Sequence, residues 1–203
     1  MSEKTRSRHF FKEVLSKKPL KENQVKSLRK LVEGKELHEL LLNIGCDAML
    51  RSSDLLSLKV KDVVNEDGSV KEYVKVRQQK TKNYTLDIPL SKNSHDVIKK
   101  YLLDKEPVSW IFVGNKSHYT KSPITQKQYS RIVKCWVSSL GISNVGDYST
   151  HSIRRTKSSL IYQKTQNVEV CRRLLGHSNI TATSAYLGIE DSDALEVARN
   201  INI

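Results

Sequence analysis

Apolar residues recur at helical spacing over Leu20, Val25, Leu28, Leu31 and Val32, just past Pro19, and again over Leu37, Leu40, Leu41, Leu42 and Ile44. Two amphipathic helices therefore open the fold, the second ending near Gly45. The pattern then changes period. Val60 to Val64, Tyr73 to Arg77 and Tyr84 to Ile88 read as three short strands, with a turn at Asn65-Glu66-Asp67-Gly68 and a tight basic turn at Lys80-Thr81-Lys82-Asn83. From Ser91 helical spacing returns, over roughly Ser94 to Leu103, Thr125 to Leu140, His151 to Tyr162, Val168 to Leu175, and Thr181 to the end. Glu106 to Pro123 is irregular, with Trp110 to Val113 as a short apolar strand or anchor. With no internal repeat or low-complexity linker, the expected architecture is one mainly helical α+β domain carrying a small three-stranded antiparallel sheet.

That domain is expected over residues 17–190, after a basic arm at 1–16 and before a helix or tail at 191–203. Charge changes the picture most at the N-terminal end, where the first thirty residues hold ten Lys and Arg against three acids. Over all 203 residues, 35 Lys and Arg against 22 Asp and Glu leave a formal charge of +13, so a polyanion is the first partner to consider. Nucleic acid outranks a membrane, because no apolar run reaches spanning length and the opening residues lack a signal peptide's apolar core. The protein is accordingly expected in the cytoplasm. Cys46, Cys135 and Cys171, odd in number and far apart, fit reduced thiols packed as small hydrophobes. No CxxC or HxxxH spacing offers a metal site, and no GxxxxGK[ST] loop offers a nucleotide site, so neither metal nor cofactor is expected.

Candidate chemistry lies near the C-terminus. His151 and Arg154 are three apart on one expected helix, so both side chains can reach one phosphate. Leu175-Gly176-His177 breaks a helix at glycine and aims His177 from a turn, and Tyr186 follows nine residues later. Alone, each has an ordinary structural explanation: a salt-bridging HxxR pair, a satisfied histidine, a packed tyrosine. Their joint occurrence with Arg51 and Lys80 carries the weight.

The strings Thr150-His-Ser-Ile-Arg-Arg-Thr156, Leu175-Gly-His-Ser178 and Thr183-Ser-Ala-Tyr-Leu-Gly188 resemble the tyrosine recombinase, or phage integrase, family. So do Leu50-Arg-Ser-Ser-Asp-Leu-Leu56 and Gln78-Gln-Lys-Thr81, and the likeness runs from residue 17 through nearly the whole chain. The resemblance implies that the fold is that family's catalytic domain and that the activity is site-specific cutting and rejoining of double-stranded DNA through a 3′-phosphotyrosine. It casts Arg51 and Arg154 as the guanidinium clamp on the scissile phosphate, Lys80 as the acid for the leaving 5′-oxygen, and His151 as assisting tyrosine deprotonation. His177 becomes a second phosphate ligand, Tyr186 the nucleophile, and Asp54 a buttress for Arg51. Lys17, Lys18, Lys82 and Arg155 are expected to reach the DNA backbone.

Three residues depart from the family pattern: Met49 where glycine is often found, Asp54 where glutamate is usual, and Arg155 where histidine is frequent. The short basic arm stands where members usually carry a separate DNA-clamping domain, as in the family's short, catalytic-domain-only members of phages and other mobile elements. Expected partners are thus a homotetramer at synapsis, with the tail docked on a neighbouring subunit, and an accessory DNA-bending or clamp protein. The alternatives are a type IB-like topoisomerase and a DNA-binding regulator that keeps the fold without using catalysis.

Overall fold

The computed structural model describes residues 17–114 and 122–189, together with Leu195 and Arg199 as exposed helical positions. The expected arm at 1–16 lies outside the described residues, as does nearly all of the expected tail at 191–203.

Helix α1 (Glu22–Val32) buries Val25, Leu28 and Val32 along one stripe. Helix α2 (Glu36–Ala48) is buried nearly all round, with Leu40, Leu41, Leu42 and Ile44 fully buried, which is the pattern of a helix enclosed by others. It packs against α1, against α4 (Lys92–Leu102) and against α6 (Thr150–Thr165). Gly45 does not end it. A Cβ there would come within 3.1 Å of the Tyr129 hydroxyl, 3.2 Å of Ile153 and 3.3 Å of Leu55, so the glycine admits three neighbours to the helix side.

Along α2 run three polar residues at one-turn spacing, each held by a cation from a different element. Glu39 accepts from Lys100 at 3.1 Å and from the Tyr101 hydroxyl at 2.7 Å, Asn43 accepts from Arg29 Nε at 2.9 Å, and Asp47 accepts from Lys157 at 2.9 Å. Asp47 also receives the Ser94 hydroxyl at 2.5 Å and the Ser91 amide at 2.8 Å. Buried polar groups are tolerated on these terms.

The terminator of α2 is Met49, in the left-handed region at φ 49°. Such a conformation costs a non-glycine residue about 1–2 kcal/mol. Met49 is also 2% exposed, and truncating a buried methionine costs about 2–5 kcal/mol. Packing therefore outweighs strain, and Met49→Gly is expected to lower unfolding stability by about 1–3 kcal/mol in urea titration. A raised midpoint would show that strain dominates.

The sheet is smaller than its sequence suggests. Strands β1 (Tyr73–Val74) and β2 (Ile88–Pro89) pair antiparallel, with Val74 opposite Ile88, and a single bridge joins Arg77 to Tyr84 further along the hairpin. Between them the ladder is interrupted because Thr85 offers its hydroxyl to the Val76 amide at 3.0 Å in place of a backbone carbonyl. The expected first strand, Val60 to Val64, is instead a 3-10 turn over Val60–Asp62, closed by the Asp62 carboxylate on the Lys59 amide at 2.8 Å. Buried Val60, Val63 and Val64 fit that curl, not an alternating strand. Trp110 to Val113 is the apolar anchor, with Ile111 and Phe112 buried and Trp110 bridged to Lys59.

Helix α3 (Ser52–Leu56) packs on α5 (Gln126–Ser139), and α7 (Val168–Leu175) and α8 (Ile180–Leu187) pack on α6 and on each other. Cys46 and Cys171 are buried, whereas Cys135 is exposed and is no core residue. No helix among the described residues is long and apolar enough to cross a membrane.

Candidate active site

Residues at the ends of α6, α7 (Val168–Leu175) and α8 set where the candidate side chains stand. At the start of α6 the Ser149 hydroxyl accepts the His151 amide at 3.2 Å while Ser152 accepts the Ser149 amide at 3.0 Å. His151 is left exposed on the first turn, and Arg154, one turn on, points inward, its Nη2 donating to the Leu175 carbonyl at 2.8 Å. Helix α7 stops at Gly176, whose φ of +63° favours glycine, and a Cβ there would lie 2.7 Å from Gln78 Nε2 and push that side chain aside. His177 follows in the turn, braced by Arg172, which donates to its carbonyl at 2.8 Å while clasping Glu169 through Nε at 2.6 Å and Nη2 at 2.7 Å. Asn179 caps α8 through the Ala182 amide at 2.7 Å, and that helix carries Tyr186 before Gly188, φ +76°, ends it.

Arg51, Lys80, His177 and Tyr186 share the walls of a cleft of about 690 Å³. Arg154 adjoins it from below, its guanidinium carbon 6.0 Å from the centre of the Tyr186 ring. His151 is not in the lining, although Arg154, Arg51 and Arg155 all act on it electrostatically. Lys82 is exposed in the hairpin with φ 60°. Lys17 and Lys18 are engaged on the turn at Val145–Asp147, Lys17 donating to the Gly146 carbonyl at 2.8 Å and Lys18 pairing with Asp147 at 2.8 Å. Arg155, expected to reach the DNA backbone, is instead 5% exposed, with its guanidinium carbon 4.9 Å from the Tyr186 ring centre.

Two contacts place residues differently from their motif roles. Asp54, expected to buttress Arg51, uses Oδ1 to accept the Gln79 amide at 2.9 Å and so fastens the Lys80 hairpin to α3. Beside Arg51 stands Gln78, whose Oε1 accepts from Arg51 Nη1 at 2.9 Å and from the Thr81 hydroxyl at 2.8 Å. Gln78 was present in the motif string without a role, because only folding brings it under both Arg51 and Gly176.

The electrostatics describe a resting site. Burial pushes the Tyr186 phenol up to about 12 against the pull of Arg154, Arg155 and Arg51; Arg154 is also near enough to offer its buried oxygen a hydrogen bond, though a poorly aligned one. Burial, then Arg154 and Arg51, bring His177 down to about 4. Its Nδ1 lies 3.1 Å from the Thr183 hydroxyl, which in turn donates to the Asn179 carbonyl at 3.2 Å. With the Thr183 proton on the Asn179 carbonyl, Nδ1 is the donor and Nε2 the acceptor of the neutral ring; with that hydroxyl turned to Nδ1, Nε2 carries the proton. The ring stands edge-on to Tyr186, centres 5.2 Å apart at 89°.

A depressed histidine pKa makes the unfolded chain take up its proton first, so stability is complete above the unfolded value near 6.5 and falls as pH drops from there toward about 4. An anion held between Arg51, Arg154 and His177 favours the imidazolium and opposes that loss. A fixed concentration of sulfate is therefore expected to raise Tm more near pH 5.5 than near pH 7.5, as thermal scans would read. Equal increments would show that His177 does not face the anion.

The chain matches the phage integrase family model over residues 18–192. It is 29% identical over 177 residues to the probable integrase/recombinase YoeC of Bacillus subtilis, covering 82% of this chain and 91% of that one. Identity to a tyrosine recombinase of Thermosipho africanus is 26% over 154 residues, 76% of this chain but only 50% of that relative, so the chain spans about half of some curated relatives. In fold it resembles the XerH site-specific recombinase solved bound to its difH substrate, with TM-score 0.67 and 19% identity, over 90% of this chain and 54% of that one.

Proposed function

This chain belongs to the phage integrase family, and we propose that it cuts and rejoins double-stranded DNA at a specific site through a 3′-phosphotyrosine on Tyr186. The observation that supports this most directly is the cleft itself, where a buried phenol meets Arg51, Lys80 and His177, with Arg154 behind it. Arg51 and Arg154 hold the scissile phosphate and meet the charge that grows on its non-bridging oxygens. The Tyr186 oxygen bonds to phosphorus as the bond to the 5′-oxygen breaks, and Lys80 gives that oxygen its proton. The phenol proton leaves to a histidine, His151 being the family's candidate and His177 the one whose ring stands edge-on to Tyr186, centres 5.2 Å apart. As a phosphate ligand, His177 must carry a proton on the nitrogen that faces the phosphate, and the arriving phosphate supplies the charge that favours the imidazolium.

Because one phosphate ester is exchanged for another, rejoining needs no nucleotide cofactor. Lys82, Arg173 and the arm at 1–16 supply backbone contacts, a homotetramer with the tail at 191–203 docked on a neighbour assembles at synapsis, and an accessory clamp or bending protein completes the grip. The protein then acts in the cytoplasm, on the nucleoid.

The test is to incubate the protein with a library of nicked duplexes drawn from its genetic element and flanking DNA, denature in detergent, and sequence what stays protein-linked. Enrichment of one sequence is expected. No linked DNA, even with host extract added, would overturn the enzymatic reading in favour of a DNA-binding regulator.

A further inference from the structure

With Tyr186 taken as the nucleophile, as proposed above, we propose that Arg155 is a positioning residue that holds the Tyr186 ring in place and ties it to the incoming chain at Lys17. Burying a guanidinium is costly unless its charge and donors are met. Arg155 is 5% exposed, and its Nη1 donates to the Lys17 carbonyl at 2.6 Å. Its guanidinium carbon lies over the Tyr186 ring, 4.9 Å from the ring centre and within cation–π range. Gly188, which closes α8 two residues past Tyr186 at φ +76°, lies beside the same guanidinium, a Cβ there standing 4.0 Å from Arg155 Nη2.

The far side of this contact is equally fixed. The Lys18 amide donates to the Asp147 carbonyl at 2.9 Å, and the Leu20 amide donates to the Thr156 hydroxyl at 3.1 Å, so residues 17–20 are strapped along the start of α6. Arg155 therefore joins the incoming chain, α6 and the nucleophile-bearing helix. It does not line the cleft, so its influence on cleavage passes through the tyrosine and not through the phosphate. The planar fork matters here, because a lysine at 155 would keep the charge but neither the flat face nor the geometry to serve ring and carbonyl together.

Two measurements test this on the full chain, with Arg155→Met and Arg155→Lys compared at matched folded fractions. In the first, 3-fluorotyrosine is placed at position 186 alone and its fluorine resonance is followed without DNA. The resonance is expected to narrow and move toward that of the free amino acid in Arg155→Met, with Arg155→Lys between. In the second, covalent adduct formation by Tyr186 is compared with cleavage in a Tyr186→Phe background supplied with hydrogen peroxide. There hydroperoxide attacks phosphorus, the bond to the 5′-oxygen breaks, that oxygen takes the proton, and a 3′-peroxyphosphate forms with no protein attached.

The ratio of tyrosine-supported to peroxide-supported cleavage is expected to fall roughly tenfold in Arg155→Met, the size a desolvated cation–π contact supports, and to recover in part in Arg155→Lys. An unmoved fluorine resonance, or an equal fall in both cleavage modes, would overturn the proposal. A moved resonance in a wild-type protein that neither forms adduct nor cleaves would uphold the ring contact while overturning the recombinase reading.

Discussion

Tyr186→Phe is expected to bind duplex DNA with unchanged affinity and to form no covalent adduct. Only one oxygen is lost, and it is the atom that must bond to phosphorus. The change should be gentle to the fold, because the buried hydroxyl has at most a poorly aligned bond from Arg154, and Tm should change little. Gel shift, detergent-resistant adduct and a thermal scan read the three quantities together. Adduct at wild-type yield would place the nucleophile elsewhere and dissolve the site as described.

Arg154→Ala has the next largest effect, and a double one. As a phosphate ligand, Arg154 should be worth roughly 10²–10³-fold or more in single-turnover cleavage at saturating DNA, the scale of one lost transition-state donor. It also donates to the Leu175 carbonyl from a site 3% exposed, and leaving that acceptor unmet costs about 1–3 kcal/mol of stability. Arg51 is more open and bonds a side chain that can turn away, so Arg51→Ala should lose comparable activity with less stability. Denaturant midpoints beside cleavage rates separate the two. An Arg154→Ala protein that cleaves at near wild-type rate would mean that the phosphate sits elsewhere.

Much of this was legible in the sequence, and what was not shares one cause. Helical periodicity located the main helices, and Gly176, standing just past an apolar run, marked where one of them ends, whereas Gly188 closes α8 within a stretch read as helical to the chain end. Arg51, Lys80, His177 and Tyr186, recognised by order and spacing, do share one cleft, while His151 lies outside its lining. Side chains that compete with the backbone were not foreseeable: Thr85 interrupts the ladder and Asp62 curls a stretch of alternating charge and valine into a turn. Nor were contacts made only by the fold, such as Gln78 under Arg51 or Asp54 on the Gln79 amide. Arg155 reads in a linear sequence as one more cation for a polyanion, and its burial depends on a helix arriving from thirty residues downstream. Gly45 misled in the same way, its glycine serving a close approach and not a helix end. Met49 did carry a signal, since a position where glycine is often found is one whose backbone favours positive φ, and it is where the chain turns left-handed.

The Asp47 to Lys157 pair works as a spacer bar for the site. Asp47 stands four residues before Arg51 and Lys157 three after Arg154, so a contact 2.9 Å long joins the two stretches of chain that present the paired guanidiniums. Like charges repel, and Arg51 and Arg154 are held to their separation by a contact on the other side of the two segments. Burial pushes the Asp47 carboxyl up, but Lys157 and the hydrogen bonds from Ser91 and Ser94 outweigh it and hold it below the usual carboxylate range. The bar is therefore fully set above the unfolded carboxylate value near 3.9 and slackens only as pH falls below it. Across the whole range in which DNA is handled, the gauge of the phosphate seat is fixed before any phosphate arrives.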